Sequence, residues 1–215
     1  MPRIQVDYYS FSLNMNTHAT VILPQTGKDF LSGGVRRNKD GKIPVLWLLH
    51  GFGDDSTSWE RYTHVERYAL ARGIAVVMPG VLSQCFYSNM VKGLPYFDHI
   101  ANEVPALFRE MFPQLSDAPE DNFIAGLSMG GTGTLVYALN HPERFAAAAV
   151  LSCCPFQMGF TNDANLDDRS RGMVENRGGL AAFQASYENT WGLVDKLAGS
   201  KDLPRFYFAI GKGDF

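Results

Sequence analysis

The 215-residue sequence lacks a long apolar run, a basic block, a dense cysteine framework and any histidine after His141. Each absence excludes something. Nothing approaches the ~18 consecutive apolar residues of a membrane span, and the run Phe145–Leu151 is far too short, so no membrane partner is expected. With Lys+Arg 19 against Asp+Glu 22 and a net charge of -3, nucleic acid is not expected as a partner. Three cysteines, Cys85 and the adjacent Cys153–Cys154, cannot build a disulfide scaffold. They suit buried thiols in a reducing compartment, and the cytoplasm is the expected location. The N-terminus alternates like a strand and lacks the charged-then-apolar order of a signal peptide. There is no internal repeat, low-complexity tract or linker, and no metal site is expected.

At 46% hydrophobic and 19% charged, the chain is an ordinary globular composition of one-domain length. Ile4–Leu13 and Ala19–Leu23 read as an N-terminal β-hairpin with "NMNTH" between the strands, which places His18 in the turn. "IPVLWLLHG" and "IAVVMPG" are continuous apolar runs suited to strands buried on both faces. Between them, "DDSTSWERYTHVERYALARG" puts Trp59, Tyr62, Val65, Ala69 and Leu70 on one helical face ending at Gly73. "YFDHIANEVPALFREMF" carries a second helical stripe, interrupted by Pro105, where a kink or a late helix start is expected. Then come "NFIAGL" (strand), "MGGTGTLVYALNH" (helix), "FAAAAVLSC" (strand) and "RFYFAIG" (strand). Strands alternating with amphipathic helices predict α/β class: a mostly parallel sheet covered on both faces. Residues 155–201 break that rhythm and read as a lid or insertion within a single domain spanning 1–215.

Gly126-Leu127-Ser128-Met129-Gly130 is G-x-S-x-G lying directly between a predicted strand and a predicted helix. That context marks a nucleophile elbow, whose strained turn leaves room only for small residues two before and two after the serine. Gly126 and Gly130 meet the requirement. The alternative dinucleotide loop fails, because "GGTG" does not keep the G-x-G-x-x-G spacing and no acidic residue follows ~20 positions on. An acyl-transfer serine needs donors for the tetrahedral oxyanion. The N–H of Met129 is one, and the loop His50-Gly51-Phe52-Gly53 after "IPVLWLLHG" offers the N–H of Phe52 as the second.

On this fold the acid follows the serine and the histidine follows the acid. Asp214, just past the strand "RFYFAI", occupies the acid position. Asp163, Asp167 and Asp168 in the insertion read as solvated instead. None of the five histidines stands after Asp214. His50 reads as a structural residue bonding the loop backbone, and His64 and His99 as surface or packing residues on helices. His141 lies over a dozen helical residues from Ser128, about 20 Å at ~1.5 Å per residue. The base of a Ser-His-Asp set is therefore not among them.

The stretches "PVLWLLHGFGDDSTSW", "THVERY", "IAVVMP", "NFIAGLSMGGTGTL" and "GKGDF" together resemble the tributyrin esterase group of α/β-hydrolases. That group is related to esterase D, the S-formylglutathione hydrolase, and to feruloyl and acetyl-xylan esterases. The resemblance runs over nearly the whole chain. It implies the α/β-hydrolase fold and a serine carboxylesterase that hydrolyses short-chain acyl esters without a cofactor. Ser128 matches the family nucleophile, Asp214 the acid, and Phe52 with Met129 the oxyanion donors. Members of the group continue for a few dozen residues past the acid, through a helix, a last strand and a loop bearing the catalytic histidine. The chain is accordingly expected to be truncated before that histidine and nearly inactive. Phe156, Met158, Phe160 and Trp191 are candidates for lining the substrate pocket, with packing inside the insertion as the competing role. The partner is a small-molecule acyl ester, and a homo-oligomer is possible. Two other functions fit the same residues: a non-catalytic ligand-binding or interaction module on a hydrolase scaffold, and a thioesterase of S-formylglutathione hydrolase type.

Overall fold

The computed structural model describes residues 2–25, 34–153, 155–159 and 161–214. Seven strands form one sheet in the order β1-β2-β4-β3-β5-β6-β7. β1 (Arg3–Ser10) and β2 (Met15–Ile22) make the antiparallel hairpin. β3 (Val45–Leu49), β4 (Ala75–Pro79), β5 (Asn122–Leu127), β6 (Ala147–Leu151) and β7 (Arg205–Ala209) run parallel to one another. The parallel strands are the continuous apolar runs of the sequence, and β4 is buried throughout. This is the α/β-hydrolase arrangement.

The structure corrects the sequence expectations at three places. The hairpin turn is residues 11–14, and "NTH" belongs to β2, so His18 sits in a strand, half-buried and paired opposite Asp7. The single helix expected before Gly73 is two, α1 (Ser58–Tyr62) and α2 (Val65–Arg72), separated at Thr63–His64. The break turns Tyr62 out to 70% exposure, off the apolar face assigned to it. Gly73 does end α2, at φ 63°, with its N–H returned to Leu70. Around Pro105 the helix does not start late. α3 (Tyr96–Asp98), a π-helical turn (His99–Glu103) and α4 (Val104–Met111) follow without a break. Proline cannot donate to the carbonyl four residues back, and the wider turn just before it accommodates the missing bond.

That π turn is tied to the hairpin. Glu103 accepts from the Ser10 hydroxyl at 2.6 Å, from the Phe11 and Ser12 N–H groups, and pairs with the buried His99 at 2.8 Å. Burial alone would raise the Glu103 pKa, but these bonds outweigh it and hold it at about 2. A carboxylate depressed in the folded state contributes stability above its ordinary pKa, and that contribution is lost as pH falls through the folded value. Stability is therefore expected to drop between about pH 5 and pH 2, and less steeply in Glu103→Gln, as read by thermal midpoints across that range.

α5 (Met129–Asn140) is buried along nearly its whole length, in keeping with a composition of small and apolar residues without a charge. Residues 155–201 fold as α6 (Asp168–Glu175), α7 (Leu180–Ala185) and α8 (Thr190–Leu197) with short 3₁₀ turns. The segment is anchored by a buried ion pair, Arg177–Glu188, in which Glu188 also accepts from the Ser88 hydroxyl and Arg177 donates to the Cys85 carbonyl. On the face opposite α5, α1 and α2 pack over β2, β4 and β3 in a cluster that reaches Ala125 of β5 and Ala149 of β6. Towards β7 the same face presents Leu127, Leu151 and Tyr207, and Tyr207 is 63% exposed. β7 pairs with β6 alone, so it is an edge strand.

Among the described residues no helix is long and apolar enough to cross a membrane. Cys85 is a buried free thiol, pushed up to about 12 by burial, and Cys153 is half-buried with its Sγ 3.2 Å from the Thr132 hydroxyl. Cys154 lies outside the described residues.

Candidate active site

β5 delivers Ser128 to the carboxyl edge of the sheet, between β3 and β6. The chain must reverse there from strand into α5 within one residue. Ser128 takes that turn at φ 54°, ψ -114°, a conformation non-glycine residues avoid at a cost of ~1–3 kcal/mol. Its N–H is held by the Leu151 carbonyl at 2.9 Å and its carbonyl accepts the first helical bond from Thr132 at 3.0 Å. The surroundings enforce the flanking glycines. A Cβ on Gly126 would stand 2.2 Å from the Gly130 carbonyl oxygen, and one on Gly130 would stand 2.4 Å from that of Leu49. No flexible side chain can yield at either place, because the obstacle is backbone.

The second loop is assembled against the serine. A Cβ on Gly51 would lie 3.9 Å from the Ser128 Cβ, so His50-Gly51-Phe52 passes directly beside it. Four groups pin this loop. His50 is buried, its Nδ1–H donating to the Gly51 carbonyl at 2.8 Å while its Nε2 accepts from the Val81 N–H at 3.1 Å. Burial lowers its pKa, and the neutral ring suits both bonds. Tyr87 donates its hydroxyl to the His50 carbonyl at 3.0 Å, Trp59 donates to the Leu49 carbonyl at 3.0 Å, and the Gly53 N–H donates to the Ser83 hydroxyl at 2.7 Å. The Phe52 N–H makes no hydrogen bond with the described residues. Met129 opens α5, and its N–H has no carbonyl four residues back within the helix. Two unspent backbone donors thus flank the serine, one of them at the positive end of the helix dipole.

Asp214 lies past β7, two strands over from Ser128. Its Oδ2 accepts from the Ser152 hydroxyl at 2.7 Å and from the Gly211 N–H at 2.9 Å. The Ser152 bond first and the Gly211 bond second hold its pKa below the ordinary carboxylate value. Ser152→Ala is expected to raise it, as read from the Asp214 carboxyl ¹³C titration. An unmoved titration would remove Ser152 from the account. Ser152 itself adopts φ 46° at the end of β6, with its N–H on the Ala209 carbonyl at 2.7 Å.

The histidines are elsewhere. His18 stands on β2, three strand positions from β5, about 14 Å at ~4.8 Å per strand. His64 is exposed at the start of α2 against Tyr68. His99 is buried among Tyr8, Ser10 and Glu103. His141 follows the far end of α5.

Of the candidate pocket residues, Phe156 is half-buried and touches Phe86, which touches Phe52, at ring-centre distances of 5.8 and 5.9 Å. An aromatic row therefore leads from the insertion to the loop beside Ser128. Met158 is 3% exposed and packs inside the insertion with Leu166, Val174 and Phe183. Trp191 is 41% exposed at the start of α8, beside Gly159. Phe160 lies outside the described residues. Sequence reasoning missed Tyr87, Trp59, Ser83 and Ser152. Their roles come from long-range contacts with no local signature, and the left-handed φ of 61° at Tyr87 is visible only in the fold.

Comparison with known proteins agrees with this geometry. The model of a family described as "Putative esterase" matches residues 10–212. An acetyl esterase of Caldicellulosiruptor saccharolyticus is 25% identical, over 100% of this chain and 82% of its own length. FphF, a fluorophosphonate-binding serine hydrolase of Staphylococcus aureus, is 34% identical with a TM-score of 0.79, over 98% of this chain and 79% of its own. The S-formylglutathione hydrolase FrmB of the same organism is 34% identical with a TM-score of 0.75, over 98% and 80%. With a strained serine at the strand–helix turn and a family match over nearly its full length, the chain belongs to this esterase family of carboxylic ester hydrolases.

Proposed function

We propose that this chain carries the nucleophile, oxyanion donors and acid of a serine carboxylesterase for short-chain acyl esters, and that its five histidines do not include the base. The observation that carries the reading is the conformation of Ser128, held at φ 54° between glycines that backbone contacts leave no room to replace. That turn presents the hydroxyl at the carboxyl edge of the sheet, which is what a nucleophile elbow requires.

Ser128 attacks the ester carbonyl, and the oxyanion settles on the N–H groups of Phe52 and Met129. Asp214 sits two strands from Ser128, about 10 Å between strand axes, leaving room for one imidazole between carboxylate and hydroxyl. In a complete triad that imidazole takes the serine proton and later activates water against the acyl-enzyme. Here His50 has both nitrogens committed to backbone, His99 is buried in the hairpin cluster, and His18 and His141 lie far from the hydroxyl. His64, exposed on α2, is assigned no part. Phe52, Phe86 and Phe156 form the wall against which a small acyl or alcohol group packs, with Trp191 at its margin. The insertion 155–201 covers that side of the site as a lid. No cofactor takes part, and the compartment proposed is the cytoplasm.

The identity to an S-formylglutathione hydrolase favours thioesters as a second substrate class on the same residues. The test is residual hydrolysis of acyl esters and acyl thioesters by wild type, Ser128→Ala and the five single histidine-to-alanine variants. Ser128→Ala removes the protein-dependent rate, whereas no histidine variant that stays folded lowers it ten-fold. A folded histidine variant that does so would identify a base inside the chain and overturn the assignment.

A further inference from the structure

On the face of the sheet that carries α4 and α5 lies a cavity of about 380 Å³, bounded by β3, β5, the α4 segment and the C-terminal end of α5. Asn122, the first residue of β5, lines it, while Ser128 follows the last. Its inner wall is apolar: Leu49, Val104, Ile124 and the Trp47 ring.

Its polar groups are the Arg109 and Arg144 guanidiniums, the His141 imidazole, the Tyr137 hydroxyl and the Asn102 and Asn122 amides, with the carboxylates of Asp117 and Glu143 at its rim. The Arg109 guanidinium lies over the Trp47 ring at 5.6 Å and donates to the Asn122 Oδ1 at 3.0 Å and the Ser116 carbonyl at 3.3 Å. It forms no ion pair with the described residues. Arg144, itself exposed, donates to the Ala101 carbonyl at 2.7 Å and the Asn102 Oδ1 at 3.4 Å and pairs with the exposed Glu143 at 3.5 Å. His141 stacks on Phe97 and turns Nδ1 towards Glu143 at 3.7 Å, while its buried Nε2 has no partner among the described residues. Burial lowers the pKa of His141, and the Arg144 charge lowers it further. Burial likewise lowers that of Arg109, the pull of Asp117 opposing and the charge of Arg144 adding to it. The two guanidinium charges therefore oppose one another beside an apolar chamber, Arg109 half-buried and Arg144 exposed at the rim with Asp117 and Glu143.

Such a site is complementary to one negative charge on an apolar body. A dianion such as phosphate would meet hydrocarbon on most sides, and a neutral alcohol would leave the Arg109 charge without an ion partner. We propose that this cavity binds an aryl or short-chain alkyl monocarboxylate, its carboxylate on Arg109 and Arg144 and its body against Trp47, Val104 and Ile124. The volume falls in the range of small-molecule sites. The site is separate from Ser128 and does not depend on the chemistry assigned there, although the ligand is of the class that ester hydrolysis releases.

The test is NMR titration of the whole chain with benzoate and hexanoate, against benzyl alcohol and hexanol, following the Trp47 indole and His141 imidazole resonances. Both carboxylates are expected to shift these resonances saturably, and the alcohols to bind at least ten-fold more weakly. Arg144→Met is expected to weaken carboxylate binding ten-fold or more while leaving alcohol binding and the thermal midpoint unchanged. Absence of saturable shifts up to about 10 mM carboxylate would overturn the proposal. So would equal binding of the alcohols, or shifts confined to residues around Ser128.

Discussion

Purified free of host esterases, the 215-residue chain is expected to hydrolyse p-nitrophenyl acetate about 10⁶-fold more slowly than a serine esterase with its base in place. The magnitude follows from how the parts of such a site depend on one another. A serine hydroxyl at neutral pH is a poor nucleophile until a base takes its proton, and the oxyanion donors contribute only once attack has begun. Asp214 does not substitute for the imidazole. It lies two strands away, and its bonds to Ser152 and Gly211 hold it ionised, with a depressed affinity for protons. What survives is the binding and oxyanion contribution, on the order of 10³–10⁴ over water in a comparable site stripped of its triad. Steady-state rates compared with Ser128→Ala separate that residue from buffer hydrolysis. Turnover at ordinary esterase rates would mean that one of the five histidines reaches Ser128 in solution.

The second large effect is on stability. Glu188→Ala is expected to destabilise the protein by about 3–5 kcal/mol, because it strands the buried Arg177 charge without its partner. For a protein of this size that lowers the thermal midpoint by roughly 10 °C. Both side chains of the pair are 3% exposed, and together they join residues 155–201 to the segment at Cys85–Ser88. That segment carries Tyr87, which holds the loop at His50, so loosening the pair is felt at the site as well as in the melting curve. Replacing both partners by apolar residues of similar volume is expected to recover most of the loss. If Glu188→Ala melts within a degree or two of wild type, the ion pair is not the anchor of the insertion.

The strand–turn–helix geometry around Ser128 was legible in the sequence because its demands are local. An elbow needs small residues at fixed spacing between a strand and a helix, and "GLSMG" after "NFIA" states that directly. The parallel strands were legible for a similar reason, since burial on both faces leaves long apolar runs such as "IPVLWLL". The parts that escaped are those set by contacts far apart in sequence. Tyr87 meets His50 across 37 residues and Glu188 meets Ser88 across 100, and no spacing rule connects them. The break between α1 and α2 escaped because the helical periodicity continues through Thr63–His64, where the backbone does not. Met158 was a pocket candidate by composition alone, whereas its side chain fills the interior of the insertion.

The direct test of the central claim is peptide mass spectrometry after a brief pulse of p-nitrophenyl acetate at alkaline pH, where hydroxide can take the serine proton, followed by a return to neutral pH. Deacylation needs the same base as acylation, so an acetyl group once transferred should persist. The account predicts a long-lived acetyl adduct on the peptide containing Ser128, missing in Ser128→Ala. Acetylation confined to lysines or tyrosines, with Ser128 unmodified in a folded chain, would contradict it.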